Sequence, residues 1–143
     1  MAQNPILKYY NFFLQKQIFR QFFKYSVVGV FNTIIGLGTI FILYNIYHVN
    51  YILSNVGGYS LGLINSFIWN KKWTFRSDSH YSKEIFPFLI IFIVSYIANL
   101  VTVILSVEAL KINANVSQIL GIGSYTITNF SSNRKWTFSK KTI

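Results

Sequence analysis

The chain has 143 residues, enough for one unit and no more. Hydrophobic residues make up 52% and charged residues 11%, against roughly 25% charged in an ordinary soluble domain, so a water-facing surface cannot be built from this composition. Thirteen Lys and Arg stand against three acidic residues, a net charge of +10, and the lack of cysteine excludes disulfides, thiol nucleophiles and thiolate metal sites.

Every basic residue lies outside the apolar runs. Topology and anionic lipid account for the imbalance, and no nucleic-acid partner is expected. The first apolar run is of spanning length with no small-x-small site after it, so a cleavable signal peptide is not expected either.

Residues 1–24 come first. Lys16, Arg20 and Lys24 recur every fourth residue, and Leu14, Ile18 and Phe22 do the same on the opposite face. The pattern predicts an amphipathic interfacial segment, although a plain juxtamembrane anchor has the same signature. No charge then occurs between Lys24 and Lys71. That run fits two helices, near residues 25–47 and 51–69, around a turn at His48-Val49-Asn50. Charge-free runs from Ile85 to Val107 and from Ile112 to Asn133 predict two more. About 20 residues at about 1.5 Å each match the roughly 30 Å hydrocarbon core, where a helix satisfies its own backbone.

Orientation follows from the basic residues. Lys8, Lys16, Arg20 and Lys24 precede the first span. Lys71, Lys72, Arg76 and Lys83 lie between the second and third, and Arg134, Lys135, Lys140 and Lys141 follow the fourth. Lys111 stands alone on the other side. The positive-inside rule puts both termini in the cytoplasm of a multi-pass protein, with positions near Val49 outside and those near Ser77 and Thr142 inside.

The sequence also matches itself at a shift of 63 positions. Asn70-Lys71-Lys72-Trp73-Thr74-Phe75 falls on Asn133-Arg134-Lys135-Trp136-Thr137-Phe138, Ser54 on Ser117, Gly58 on Gly121, Phe67 on Phe130 and Asn32 on Ser95. Residues 25–77 and 88–140 share thirteen identities. Each repeat holds two helices, so both enter the membrane from the same side and are parallel rather than inverted repeats. The expected fold is an all-α membrane protein, a single membrane domain over residues 1–143 with four transmembrane helices from two parallel two-helix repeats. Small residues mark its packing faces: Ser54, Gly58, Gly62 and Ser66 on the second helix, Gly29, Asn32, Gly36 and Thr39 on the first. Ser117, Gly121, Ser124, Thr128 and Ser132 do so on the fourth, and Ser95, Asn99, Thr102 and Ser106 on the third. For Asn32 and Asn99 a polar cavity is as reasonable as packing, because an amide inside a bilayer needs a partner.

No catalytic constellation is visible. Asp78 and Glu84 are expected in the cytoplasmic loop and Glu108 at the outer edge, with His48 and His80 on opposite sides. No metal spacing, phosphate loop or activated nucleophile appears. The reading is a non-enzyme without a cofactor or metal. The spans also lack the acid that proton-coupled exporters use.

The repeated string Asn-basic-Lys-Trp-Thr-Phe has two accounts. Lysines and interfacial tryptophans fix topology, which explains the residue types. A lipid-phosphate site explains the order as well. In it Arg134, Lys135, Lys71 and Lys72 meet phosphate, Asn70 and Asn133 donate as neutral groups, and Trp73 and Trp136 pack on sugar or isoprenoid.

The chain resembles the GtrA-like proteins, small four-helix membrane proteins of bacterial polysaccharide and cell-wall glycosylation. The likeness covers roughly residues 20–140. It rests on a start of the type Phe-x-x-Val-Gly, here Phe23 to Gly29 with a longer spacer, and on the closing segment Asn129 to Phe138. There one extra residue separates the asparagine from Arg134. The resemblance implies work on polyprenyl-phosphate sugars such as undecaprenyl phosphate bearing one hexose, in the bacterial plasma membrane. Such proteins are thought to move the lipid to the outer leaflet or to assist the glycosyltransferase that makes it, and similar units occur fused behind such transferases. Expected partners are therefore a polyprenyl-phosphate-linked sugar, membrane lipid, a second copy in a homodimer and, on the accessory reading, a glycosyltransferase.

Overall fold

A computed structural model of the protein describes residues 5–139, with side chains from 12 onward. Lys140, Lys141, Thr142 and the side chain of Lys8 lie outside the described residues. Four helices follow in order: α1 (Pro5–Phe41), α2 (Tyr51–Trp69), α3 (Tyr81–Ile104) and α4 (Ala114–Ser132). Each runs into a π-helical turn: Ile42–Ile46, Asn70–Phe75, Leu105–Ala109 and Asn133–Thr137. No strand occurs among the described residues. They divide into two compact units at the Arg76–Ser77 bond. In the first α1 packs on α2, and in the second α3 packs on α4.

The two hairpins close with the same hydrogen bonds, 63 positions apart. In the first, the Tyr47 N–H donates to Ile42 O at 3.1 Å and the Val49 N–H to Leu43 O at 2.9 Å. In the second, Leu110 donates to Leu105 O at 3.1 Å and Ile112 to Ser106 O at 2.9 Å. His48 and Lys111 take the left-handed conformation that ends each outgoing helix, with φ of 52° and 54°. Asn50 then caps α2 by accepting from the Ile52 N–H at 2.8 Å. Asn113 caps α4 by accepting from Asn115 at 2.9 Å. Ser54 and Ser117, both 0% exposed, donate to the carbonyls of Asn50 and Asn113 at 3.1 Å. A hydroxyl satisfied in this way can be buried without loss, so these two identities shared by the repeats belong to the turn.

The outer surface is apolar. Phe19, Phe86, Tyr59 and Ile119 are 72%, 72%, 73% and 69% exposed, far beyond what a monomeric soluble protein shows to water. Two helices are long and apolar enough to cross a membrane, Phe12–Ile46 and Tyr81–Ala109, and only 6% and 17% of their apolar windows are buried. That low burial separates them from the core helix of a soluble protein. The 19 residues of α2 and of α4 reach about 28 Å, and these helices carry the glycine, serine and asparagine that face the long ones. Residues 1–24, the amphipathic segment of the sequence reading, contribute the first part of α1 from Pro5 onward, and the helix continues into the apolar span without a break. At 37 residues α1 is about 55 Å long, so the Lys16–Lys24 stretch extends beyond a hydrocarbon layer of about 30 Å.

Within the first hairpin, small residues bring the backbones together. A Cβ built on Gly36 would lie 3.4 Å from Gly58 O, and one on Gly62 would lie 3.3 Å from Asn32 O. Gly29 departs from the expected face: it is exposed, with nothing within 4 Å of its Cβ position. At that level of α1 the buried residues are Tyr25 and Val28. In the second hairpin Gly121 faces Val103 and the Asn99 amide. Asn99 stands at the repeat position of Gly36, so its side chain takes the place of a backbone contact.

Candidate lipid-phosphate site

The repeated string forms the two π turns that end α2 and α4. A π turn advances with an i→i+5 bond: the Phe138 N–H donates to Asn133 O at 2.8 Å, and that of Arg76 to Lys71 O. The register decides which side chains turn inward. Asn70, Thr74 and Phe75 are 1%, 3% and 4% exposed, and Asn133, Thr137 and Phe138 are 1%, 6% and 3% exposed. Lys72 and Lys135 point outward and are exposed. Much of the fixed order Asn, base, Lys, Trp, Thr, Phe is thus set by inward and outward alternation on a π turn. Of the two accounts given from the sequence, only the lipid-phosphate site had explained that order.

The remaining members of the string differ between the repeats. Lys71 is 3% exposed, while Arg134 at the equivalent position is half-buried. Trp73 is half-buried under the Lys24 ammonium, which lies 5.1 Å from its ring centroid, a cation–π distance. The same ammonium donates to Trp73 O at 3.4 Å, and the ring meets Trp69 edge-on at 6.3 Å. In the second repeat Pro87 replaces Lys24 and Ser132 replaces Trp69, and Trp136 is 72% exposed. On the neighbouring face Phe88 of α3 packs on Phe138 at 6.2 Å.

Each unit thus brings one group of the candidate residues together: Asn70, Lys71, Lys72 and Trp73 in the first, Asn133, Arg134, Lys135 and Trp136 in the second. Asn32 and Asn99 sit elsewhere. Asn99 packs over Gly121, twelve residues before Asn133 on the partner helix, or about 18 Å along the axis. Asn32 accepts a hydrogen bond from Asn65 Nδ2 at 2.6 Å, which answers the polar-cavity question for this amide with a partner on α2. Replacing Asn65 by leucine is expected to cost the first hairpin about 0.5–2 kcal/mol in unfolding from mixed micelles. The Asn32→Leu/Asn65→Leu double variant is expected to regain part of that, because no amide is then left unpaired.

One buried group was misplaced by the sequence reading. Glu84 is not in a solvated loop. It occupies the first turn of α3, is 2% exposed, and accepts a hydrogen bond from the Ser77 hydroxyl. A signal was present, since the 63-residue shift sets Glu84 on Gln21 of the α1 helix. Asp78 is exposed in the connection between α2 and α3, and Glu108 is exposed in the π turn that ends α3. Among the described residues no group of three or more His, Cys, Asp or Glu is placed to hold a metal ion.

Two lipid-facing helix hairpins, each ending in a basic, tryptophan-bearing π turn, define a small polytopic membrane protein. The chain belongs to the family described as GtrA/DPMS, transmembrane domain, whose pattern matches residues 24–138. The match begins at the last basic residue before the first apolar run and ends on the phenylalanine of the second string. Two relatives come from Bacillus subtilis (strain 168). The uncharacterized membrane protein YngA is 33% identical over 121 residues, covering 80% of this chain and 77% of that protein. The uncharacterized membrane protein YwcD is 28% identical over 122 residues, covering 82% and 95%.

Proposed function

We propose that this protein carries a polyprenyl-phosphate-linked sugar from the cytoplasmic to the outer leaflet of the bacterial plasma membrane, for glycosylation of cell-wall or surface polysaccharide. The observation that carries this reading is membership of the GtrA/DPMS family across both repeats. Arg134 and Lys135 retain surface beside Trp136 in the second unit, a composition suited to a phosphate joined to a sugar. A phosphodiester lipid carries about one negative charge, and a potential negative inside favours its outward movement by about 2.3 kcal/mol per 100 mV. Use of the lipid outside supplies a further sink. Neither term needs a proton-carrying acid in mid-span, and Glu84 sits only one helical turn into α3. The role is that of a carrier without catalysis.

The test is reconstitution of the purified protein alone into vesicles with labelled polyprenyl-phosphate hexose, following the label in the outer leaflet. Flipping by the protein alone is the expected result. Flipping only when a polyprenyl-phosphate glycosyltransferase is added would establish the accessory role instead. The same preparation is expected to contain dimers, because the width of four spans is small for shielding a sugar phosphate. A strictly monomeric, active particle would refute the dimer.

The topology that this direction requires places both termini and the α2–α3 connection in the cytoplasm. Ser77 is a poor labelling site because its hydroxyl is engaged by Glu84, whereas Asp78 and His48 are exposed. In this cysteine-free chain, Asp78→Cys is expected to resist an impermeant thiol reagent in intact cells and His48→Cys to react. The reverse pattern would invert the topology.

A further inference from the structure

The same two polar atoms are left over in each repeat. Asn70 Oδ1, Thr74 Oγ1, Asn133 Oδ1 and Thr137 Oγ1 are buried, and no hydrogen-bonding group among the described residues reaches them. The neighbouring atoms are satisfied: Asn70 Nδ2 donates to Ser66 Oγ at 3.2 Å and Asn133 Nδ2 to Asn129 Oδ1 at 2.7 Å. These bonds fix both amides with the carbonyl oxygen turned the other way. The threonine follows four residues later, so it shares a face with the asparagine. Buried polar atoms without partners are rare in folded proteins. The same two atoms orphaned at positions 63 apart, in hairpins with different neighbours, are not an accident of one side chain.

We propose that each π turn holds a site for one neutral hydroxyl group, bound between Asn70 and Thr74 in the first hairpin and between Asn133 and Thr137 in the second. The ligand O–H donates to the asparagine Oδ1, and its oxygen accepts from the threonine hydroxyl. Charge complementarity excludes the other small ligands. A metal cation would lie beside Lys71 and Lys72, or beside Arg134 and Lys135. An anion would face the lone pairs of the asparagine carbonyl. A hydroxyl can satisfy both the acceptor and the amphoteric group at once. It has two sources, a buried water or a hydroxyl of the carried sugar. The sugar source rests on the proposed function and the water source does not.

The sign of a stability change tests the site. Thr74→Val and Thr137→Val keep the shape and remove the hydroxyl, and Thr→Ser at each position keeps the hydroxyl. Melting is measured in nanodiscs without added lipid-linked sugar, and binding is measured for a polyprenyl-phosphate hexose and for the bare polyprenyl phosphate. If water fills the site, valine lowers the melting temperature by a few degrees, serine does so less, and the preference between the two lipids is unchanged. A valine variant that fails to insert where serine inserts normally counts as this outcome. If the sugar fills it, the site is empty during melting, so valine leaves the melting temperature unchanged or raises it, and it weakens hexose-lipid binding about tenfold or more with bare-lipid binding intact. Valine that raises the melting temperature and leaves both affinities unchanged overturns the proposal, since a dry site gains by losing an unpaired hydroxyl. If neither lipid binds, a fall in melting with valine still supports the site and unchanged or raised melting overturns it, which separates failure of this site from failure of the transport reading.

Discussion

Arg134→Lys is expected to insert and fold normally and yet lose most translocation of a polyprenyl-phosphate hexose, with Arg134→Ala no worse than a few-fold further down. The two repeats offer equivalent positions, 71 and 134, and only the second is arginine. They also differ in access. Lys71 is 3% exposed and has little surface to give a ligand, whereas Arg134 is half-buried and keeps part of its surface. A planar guanidinium holds phosphate through two parallel hydrogen bonds, and an ammonium acts as a point charge. At the edge of the hydrocarbon such a pair is shielded from water, so losing it costs a few kcal/mol, or roughly 10–100-fold. Loss of a merely topological charge costs about 1 kcal/mol of attraction to anionic lipid. Insertion measured by protease protection and flipping measured in vesicles separate the two. Full activity with lysine would make Arg134 an anchor and move the phosphate site elsewhere.

Much of the fold is legible in the sequence because two periodicities are strong. The charge-free runs give the helices, and the range 51–69 is that of α2. The shift of 63 gives the repeat, and with it the turns closed by Asn50 and Asn113 and by Ser54 and Ser117. The π turns are not legible from hydropathy, since a polar string after a span looks like a loop whether or not it is wound. They can be found only by noticing that Asn, Thr and Phe recur at fixed spacing among bases and tryptophan. Glu84 is misread for a related reason: a carboxylate at the edge of a span is expected to be solvated unless its repeat partner Gln21 is considered. Gly29 is misread because a glycine near Asn32 and Gly36 suggests one stripe, whereas at its level of α1 the buried residues are Tyr25 and Val28.

The repeat is close in the backbone of its hairpin turns and loose in charge, and that combination bears on function. Turn hydrogen bonds agree to within about a tenth of an ångström between the hairpins, for instance 2.9 Å for both Val49 to Leu43 and Ile112 to Ser106. Around the two strings, however, Lys24 is answered by Pro87, Gln21 by Glu84, Trp69 by Ser132 and Lys71 by Arg134. The first tryptophan is consequently covered by a cation and the second is bare. One framework therefore carries two chemically different ends, and the second has the more accessible base after the asparagine and the more accessible indole. On the proposed function a lipid headgroup has reason to meet that end first, which is why the largest functional effect is assigned to position 134.

The largest structural effect is expected at Gly58. A Cβ there would lie 2.6 Å from Gly36 O and press on Ile40 Cγ1. A side chain can rotate away, but the Gly36 carbonyl belongs to the α1 backbone, so Gly58→Ala must move one helix relative to the other. Overpacking of this kind costs about 1–3 kcal/mol, and valine adds to it. Gly121→Ala, the repeat equivalent, meets Val103 Cγ2 at 2.6 Å and Asn99 Nδ2 at 2.9 Å; both are side-chain ends, so its cost falls below that of Gly58→Ala. Gly29→Ala and Gly38→Ala meet nothing within 4 Å and remove the flexibility of glycine from a helix, worth about 0.5–1 kcal/mol in their favour. Denaturation from mixed micelles, read by tryptophan fluorescence from Trp69 and Trp73 in the first hairpin and Trp136 in the second, measures the series. The expected order of loss is Gly58, then Gly121, with Gly29 and Gly38 at or above the parent. A Gly58→Ala protein as stable as the parent would mean that α1 and α2 do not approach through Gly36 and Gly58. The small residues of the first hairpin would then need another partner.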